Sequence, residues 1–66
     1  MQIVINGEKK KVNDHLTVED LLHELGIAEQ RLAVEINQEI VPRSSISEHI
    51  IHPNDTVEII HAIGGG

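Results

Sequence analysis

Leu16-Thr17-Val18-Glu19-Asp20-Leu21-Leu22-His23-Glu24-Leu25-Gly26 holds a complete set of helix signals in one short run. Thr17 is an N-cap, because its hydroxyl can accept from an amide that the first helical turn leaves unpaired. Asp20 stands at N3 of a capping-box pattern, and Leu16 just outside the cap can staple onto Leu21. Gly26 suits the left-handed position that closes a helix. Val18, Leu21, Leu22 and Leu25 recur at helical spacing on one face, with Glu19, Asp20, His23 and Glu24 on the other. A helix this short gains most of its stability from tertiary packing, so its apolar stripe must cover another layer.

The flanking sequence supplies that layer as strands. Met1 to Ile5 alternates with Met1, Ile3 and Ile5 facing inward, and Asn6-Gly7 tolerates the positive φ of a tight hairpin turn. The returning strand is expected from Glu8 to Val12, where Lys9-Lys10-Lys11 reads as the charged protection of a sheet edge. After the helix, Leu32 to Ile36 alternates again. Asn37-Gln38 turns, although Gln38 suits a two-residue turn less well than Gly, and Glu39-Ile40-Val41 forms a short strand stopped by Pro42. Arg43 to His52 has no clean period and reads as a loop with a helical turn near Ser47. Pro53-Asn54-Asp55 turns into a last strand, Thr56 to Ile63, with Val57 and Ile59 inward and Glu58 and Ile60 outward. The two Ile-Asn-x-Glu corners, Ile5 to Glu8 and Ile36 to Glu39, read as local hairpin chemistry. One domain, residues 1–66, accounts for all of this. Its class is α+β, and at this length the expected member is the ubiquitin-like β-grasp, a mixed sheet with one main helix packed on one face. In that fold the last strand lies centrally, parallel to the first, so the chain between them must cross over.

Composition narrows the function. The chain of 66 residues has no Phe, Tyr or Trp, so its core is aliphatic and it offers no platform on which bases stack. Asp and Glu total 11 against 5 Lys and Arg, and the formal net charge of −6 repels phosphate backbones; nucleic acid is not an expected partner. With no Cys, disulfides, thiolate nucleophiles and thiolate metal sites are excluded. No apolar run approaches the ~20 residues of a membrane helix. The expectation is a cytoplasmic protein with no membrane contact and no signal peptide.

Gly64-Gly65-Gly66 directly follows the last strand. Glycine there costs entropy and buries nothing, but it makes a thin, conformationally free peptide that can enter a narrow channel with Ala62 and Ile63 behind it. A frayed terminus is the plain alternative, yet no polar linker separates the glycines from the strand. A terminal carboxylate is ionised near neutral pH and is a poor acyl donor until activated. Adenylation of Gly66 by ATP gives a mixed anhydride, from which a sulfur nucleophile on a partner can displace AMP to leave a thiocarboxylate. Other candidates are weaker. His15, His23, His49, His52 and His61 lack companion ligands, so no metal site is expected, and no cofactor is expected to be bound. Ser44, Ser45 and Ser47 beside Glu48 and His49 hold the residue types of a hydrolase triad without its strand-to-helix elbow. Alternation puts Val4 and Ile60 on the sheet face away from the core, where with Ala62 they are candidates for a docking face.

Four segments resemble the ubiquitin-like sulfur carrier proteins of thiamine biosynthesis, the ThiS family. They are Met1-Gln2-Ile3 with Asn6-Gly7-Glu8, Thr17 to Leu22, Asn37 to Ser44, and Asp55 to Gly66. The run Val41-Pro42-Arg43-Ser44 is the most discriminating, since many ubiquitin-like proteins share a diglycine end. The resemblance implies a protein co-substrate and not an enzyme. In it, an ATP-using activating enzyme adenylates Gly66, sulfur arrives from cysteine through a desulfurase persulfide, and thiazole synthase receives the thiocarboxylate. Gly64 and Gly65 are then part of the inserted tail. Family members often have Gly where this chain has Gln38, and Gly-Asp where it has Asn54-Asp55. A ubiquitin-like modifier and a small subunit of molybdopterin synthase are the alternatives with similar tails.

Overall fold

The computed structural model describes residues 1–61. In chain order they form strands β1 (Gln2–Ile5) and β2 (Glu8–Lys11), helix α1 (Val18–Glu24), strands β3 (Leu32–Ile36) and β4 (Glu39–Val41), a 3-10 helix (Arg43–Ser45) and strand β5 (Thr56–His61). One five-stranded sheet runs in the order β2-β1-β5-β3-β4, so the last strand lies at the centre. It pairs parallel with β1 and antiparallel with β3, and both outer pairs are antiparallel hairpins. This is the mixed β-grasp sheet expected from the sequence, with β2 and its three lysines on an edge.

Helix α1 forms as its caps dictate. The Thr17 hydroxyl accepts from the Asp20 amide at 3.1 Å, and the Asp20 carboxylate accepts from the Thr17 amide at 3.2 Å. At the other end Gly26 has φ +74, the Gly26 amide donates to the His23 carbonyl, and the Ile27 amide donates to the Leu22 carbonyl, each at 3.0 Å. That pair of bonds is a Schellman closure, and Ile27 packs against the core beside it. Val18, Leu21 and Leu22 are buried, and Leu25 is half-buried.

The segment without a period, Arg43 to His52, crosses the start of α1. The Val18 amide donates to the His49 carbonyl and the Glu19 amide to the Ile46 carbonyl, both at 3.0 Å; the Ile51 amide donates to the Leu16 carbonyl at 2.8 Å. Two of the amides a helix start leaves unpaired are satisfied from this distant segment, and the Asp20 amide by the cap. The helical turn expected near Ser47 begins earlier, at Arg43. Pro42 has the φ of −58 that the ring imposes, and its carbonyl accepts from the Ser45 amide at 2.8 Å.

The core is wholly aliphatic. Ile3, Leu16, Val18, Leu21, Leu22, Val34, Ile36, Val41, Ile51, Val57 and Ile59 fill the space between the helix and one face of the sheet. Met1 and Ile5, expected inward, are half-buried against it, as is Val12, which follows β2 and is not part of it. Both hairpin corners take two successive positive φ angles, 49 and 85 at Asn6-Gly7 and 52 and 71 at Asn37-Gln38. Gln38 therefore adopts the tight turn despite its side chain.

Candidate functional site

The central strand is held by more than its ladders. On the β1 side, the Val4 amide donates to the Asp55 carbonyl and the Asn6 amide to the Val57 carbonyl, both at 2.9 Å. Past the end of β1, the Asn6 side-chain oxygen accepts from the Ile59 amide at 2.8 Å. On the β3 side, the Asn37 amide donates to the Thr56 carbonyl at 2.8 Å, and the Asn37 side-chain oxygen accepts from the Thr56 amide at 2.9 Å. The other end of that amide donates to the Asp55 carboxylate at 3.0 Å, which also accepts from the His52 amide at 2.8 Å. Asp55 is the one buried charged residue among those described, and these donors satisfy it.

Strand β5 runs past the β1–β2 corner as far as His61, paired with Leu32 of β3. The described residues thus end on the central strand of the sheet. Ala62, Ile63, Gly64, Gly65 and Gly66, to which the sequence assigns the tail and the modified group, lie outside the described residues.

Val4 and Ile60 do share the open sheet face, but they are not neighbours. Val4 is half-buried and pairs with Thr56, four residues before Ile60 along β5. Ile60 is 49% exposed and faces Ala33 across the ladder; between the two positions Glu58 faces Glu35. On the other side of Glu35 stands Ile40, 69% exposed, the most accessible large apolar side chain among those described. Sequence reading passed over Ile40 and Ala33, because a three-residue strand gives alternation little length and a cross-strand partner needs the register. A shallow hollow at the tail end of this face is lined by Arg31, Leu32, Ala33, Arg43 and Ile60.

The remaining candidates stay apart. His15, His23, His52 and His61 are exposed, on a loop, the helix, a second loop and β5; His49 is half-buried and its amide donates to the Ser45 carbonyl. Among the described residues no three His, Cys, Asp or Glu side chains gather as a metal site. Ser44, Ser45 and Ser47 lie in and after the 3-10 helix. No helix among the described residues is long and apolar enough to cross a membrane.

Known proteins agree with this architecture. The model of the ThiS family matches residues 3–66. The sulfur carrier protein ThiS of Escherichia coli is 35% identical across the whole of both chains. A thiazole synthase of Paramagnetospirillum magneticum is 47% identical over all 66 residues, which cover 20% of its own length, so the chain spans about a fifth of that relative. The crystal structure of a ThiS protein from Geobacter metallireducens superposes with a TM-score of 0.87, at 30% identity and full coverage of both chains. The shared centre-strand topology and the match along nearly the entire sequence place this chain in the ThiS family.

Proposed function

We propose that this chain carries sulfur for the thiazole moiety of thiamine, with Gly66 as the group that is loaded. The observation that carries the proposal is the full-length similarity to a protein named as a sulfur carrier, joined to a fold whose central strand is the last element before the glycine run in the sequence. Chemistry supports the rest. A carboxylate oxygen of Gly66 attacks the α-phosphorus of ATP in an activating enzyme, and pyrophosphate leaves. The terminal sulfur of a persulfide, formed on a partner by a cysteine desulfurase, attacks the acyl carbon, and AMP leaves. A second thiol then cleaves the sulfur–sulfur bond and leaves the thiocarboxylate on the carrier. Thiazole synthase is the acceptor, a partner supported by the relatives in which a segment like this chain is part of a protein of that name.

In this reading the body is a passive co-substrate that binds no cofactor, and ATP is consumed by the activating partner. This reading places the work in the cytoplasm. Intact-mass spectrometry tests the proposal. A chain ending at Gly66, incubated with the activating enzyme, ATP and a sulfur source, gains the mass difference between sulfur and oxygen. An unchanged mass, or the appearance of isopeptide-linked conjugates in its place, overturns it.

A further inference from the structure

Asn6-Gly7 is the only Asn-Gly pair of the chain, and both residues are exposed at the tip of the first hairpin. A main-chain nitrogen that follows asparagine can attack the side-chain carbonyl carbon, closing a cyclic imide and expelling ammonia. Glycine hinders that attack least, because it has no Cβ. The space around it is open: no heavy atom other than its chain neighbours lies within 4 Å of the place a Cβ at Gly7 takes.

The fold adds to this reactivity. The Asn6 side-chain oxygen accepts from the Ile59 amide at 2.8 Å, which polarises the carbonyl and stabilises the negative charge that gathers on the oxygen during attack. The nitrogen of the same side chain donates no bond among the described residues, so nothing ties down the leaving group. Asn37, in the twin corner, is the internal control. Its oxygen has an equivalent donor, the Thr56 amide at 2.9 Å, but its nitrogen is held at 3.0 Å by the buried Asp55 carboxylate, and the residue that follows is Gln38. That carboxylate fixes the amide group at both ends and opposes the build-up of a second negative charge beside it. Asn13 and Asn54 are each followed by an acidic residue, Asp14 and Asp55.

We infer that Asn6 is a site of spontaneous deamidation in the folded chain. Base removes the Gly7 amide proton, the nitrogen bonds to Asn6 Cγ, and the Cγ–Nδ2 bond breaks as ammonia leaves with the proton returned. Water then opens the imide. Cleavage at Cγ leaves aspartate, and cleavage at the main-chain carbonyl leaves isoaspartate, whose main chain runs through the former side chain. One water enters and one ammonia leaves, with no change of oxidation state. Aspartate keeps an oxygen for the Ile59 amide. Isoaspartate adds a carbon to the main chain inside a two-residue turn, so the corner loses either its hairpin register or its hold on β5. The inference is independent of the sulfur-carrier reading.

Peptide mapping by mass spectrometry tests it, with isoaspartate detected by enzymatic methylation of its carboxylate. The full-length chain and Gln38→Gly, which has Asn-Gly at both corners, are incubated at mildly alkaline pH, folded and in urea. Folded wild type converts at Asn6 ahead of the other three asparagines. In Gln38→Gly the ratio of the Asn6 rate to the Asn37 rate is about tenfold or more higher folded than in urea, the factor that one hydrogen bond to a charged group supplies. The isoaspartate fraction unfolds at a lower temperature than the aspartate fraction. Folded chain that leaves Asn6 intact overturns the inference, as does a ratio no higher folded than in urea; equal unfolding temperatures overturn the link to β5.

Discussion

The corners Ile5-Asn6-Gly7-Glu8 and Ile36-Asn37-Gln38-Glu39 have nearly the same sequence, and the fold sets them on opposite sides of one strand. Each asparagine takes a positive φ, turns a hairpin and uses its side-chain oxygen to hold a β5 amide, Ile59 for Asn6 and Thr56 for Asn37. They differ in what stands behind them. Asn6 makes its bond alone, at the place where β1 stops and β5 continues. Asn37 is tied through its amide nitrogen to buried Asp55, which also holds the His52 amide. The lesson is that one local pattern can do long-range work, and that its weight depends on burial and on neighbours outside the pattern.

The comparison predicts an order of effects on unfolding free energy, measured by denaturant titration. Asp55→Ala is the most costly, at about 3 kcal/mol, because it removes a carboxylate that accepts two bonds and leaves their donors unpaired. Asn37→Gly keeps the positive φ freely available, so it isolates the side-chain bonds, and costs about 2 kcal/mol. Asn6→Gly costs about 1 kcal/mol by the same logic, with one bond lost. Equal losses at the two asparagines would break the distinction drawn from Asp55. Gln38→Gly gives the smallest effect and the opposite sign, a gain of about 0.5 kcal/mol, since glycine takes φ of 71 without the steric cost of a side chain but loses more chain entropy.

The parts of this fold legible in the sequence are those whose partners lie a few residues away. Helix α1 was readable to its caps because Thr17, Asp20 and Gly26 bond within their own turns. The direction of Ile60 followed from alternation. Arg43 to His52 was opaque because its hydrogen bonds serve the start of a helix far back in the chain, and such bonds leave no period. The asparagines were legible as turn formers, but their hold on β5 required the crossover that brings residues 6 and 59 together. In the same way the apolar neighbour of Ile60 is Ala33, set by register, and not Val4, with which it shares only a face.

The placement of β5 between β1 and β3 also decides how the body answers a pull. Tension applied beyond His61 runs along the axis of the strand and loads the parallel and antiparallel ladders sideways, so many bonds must yield together. The outer strand β2 under the same tension is held by one ladder only. A pull on the chain beyond His61 is therefore resisted from both sides of the strand that bears it, where a pull on β2 meets a single neighbour.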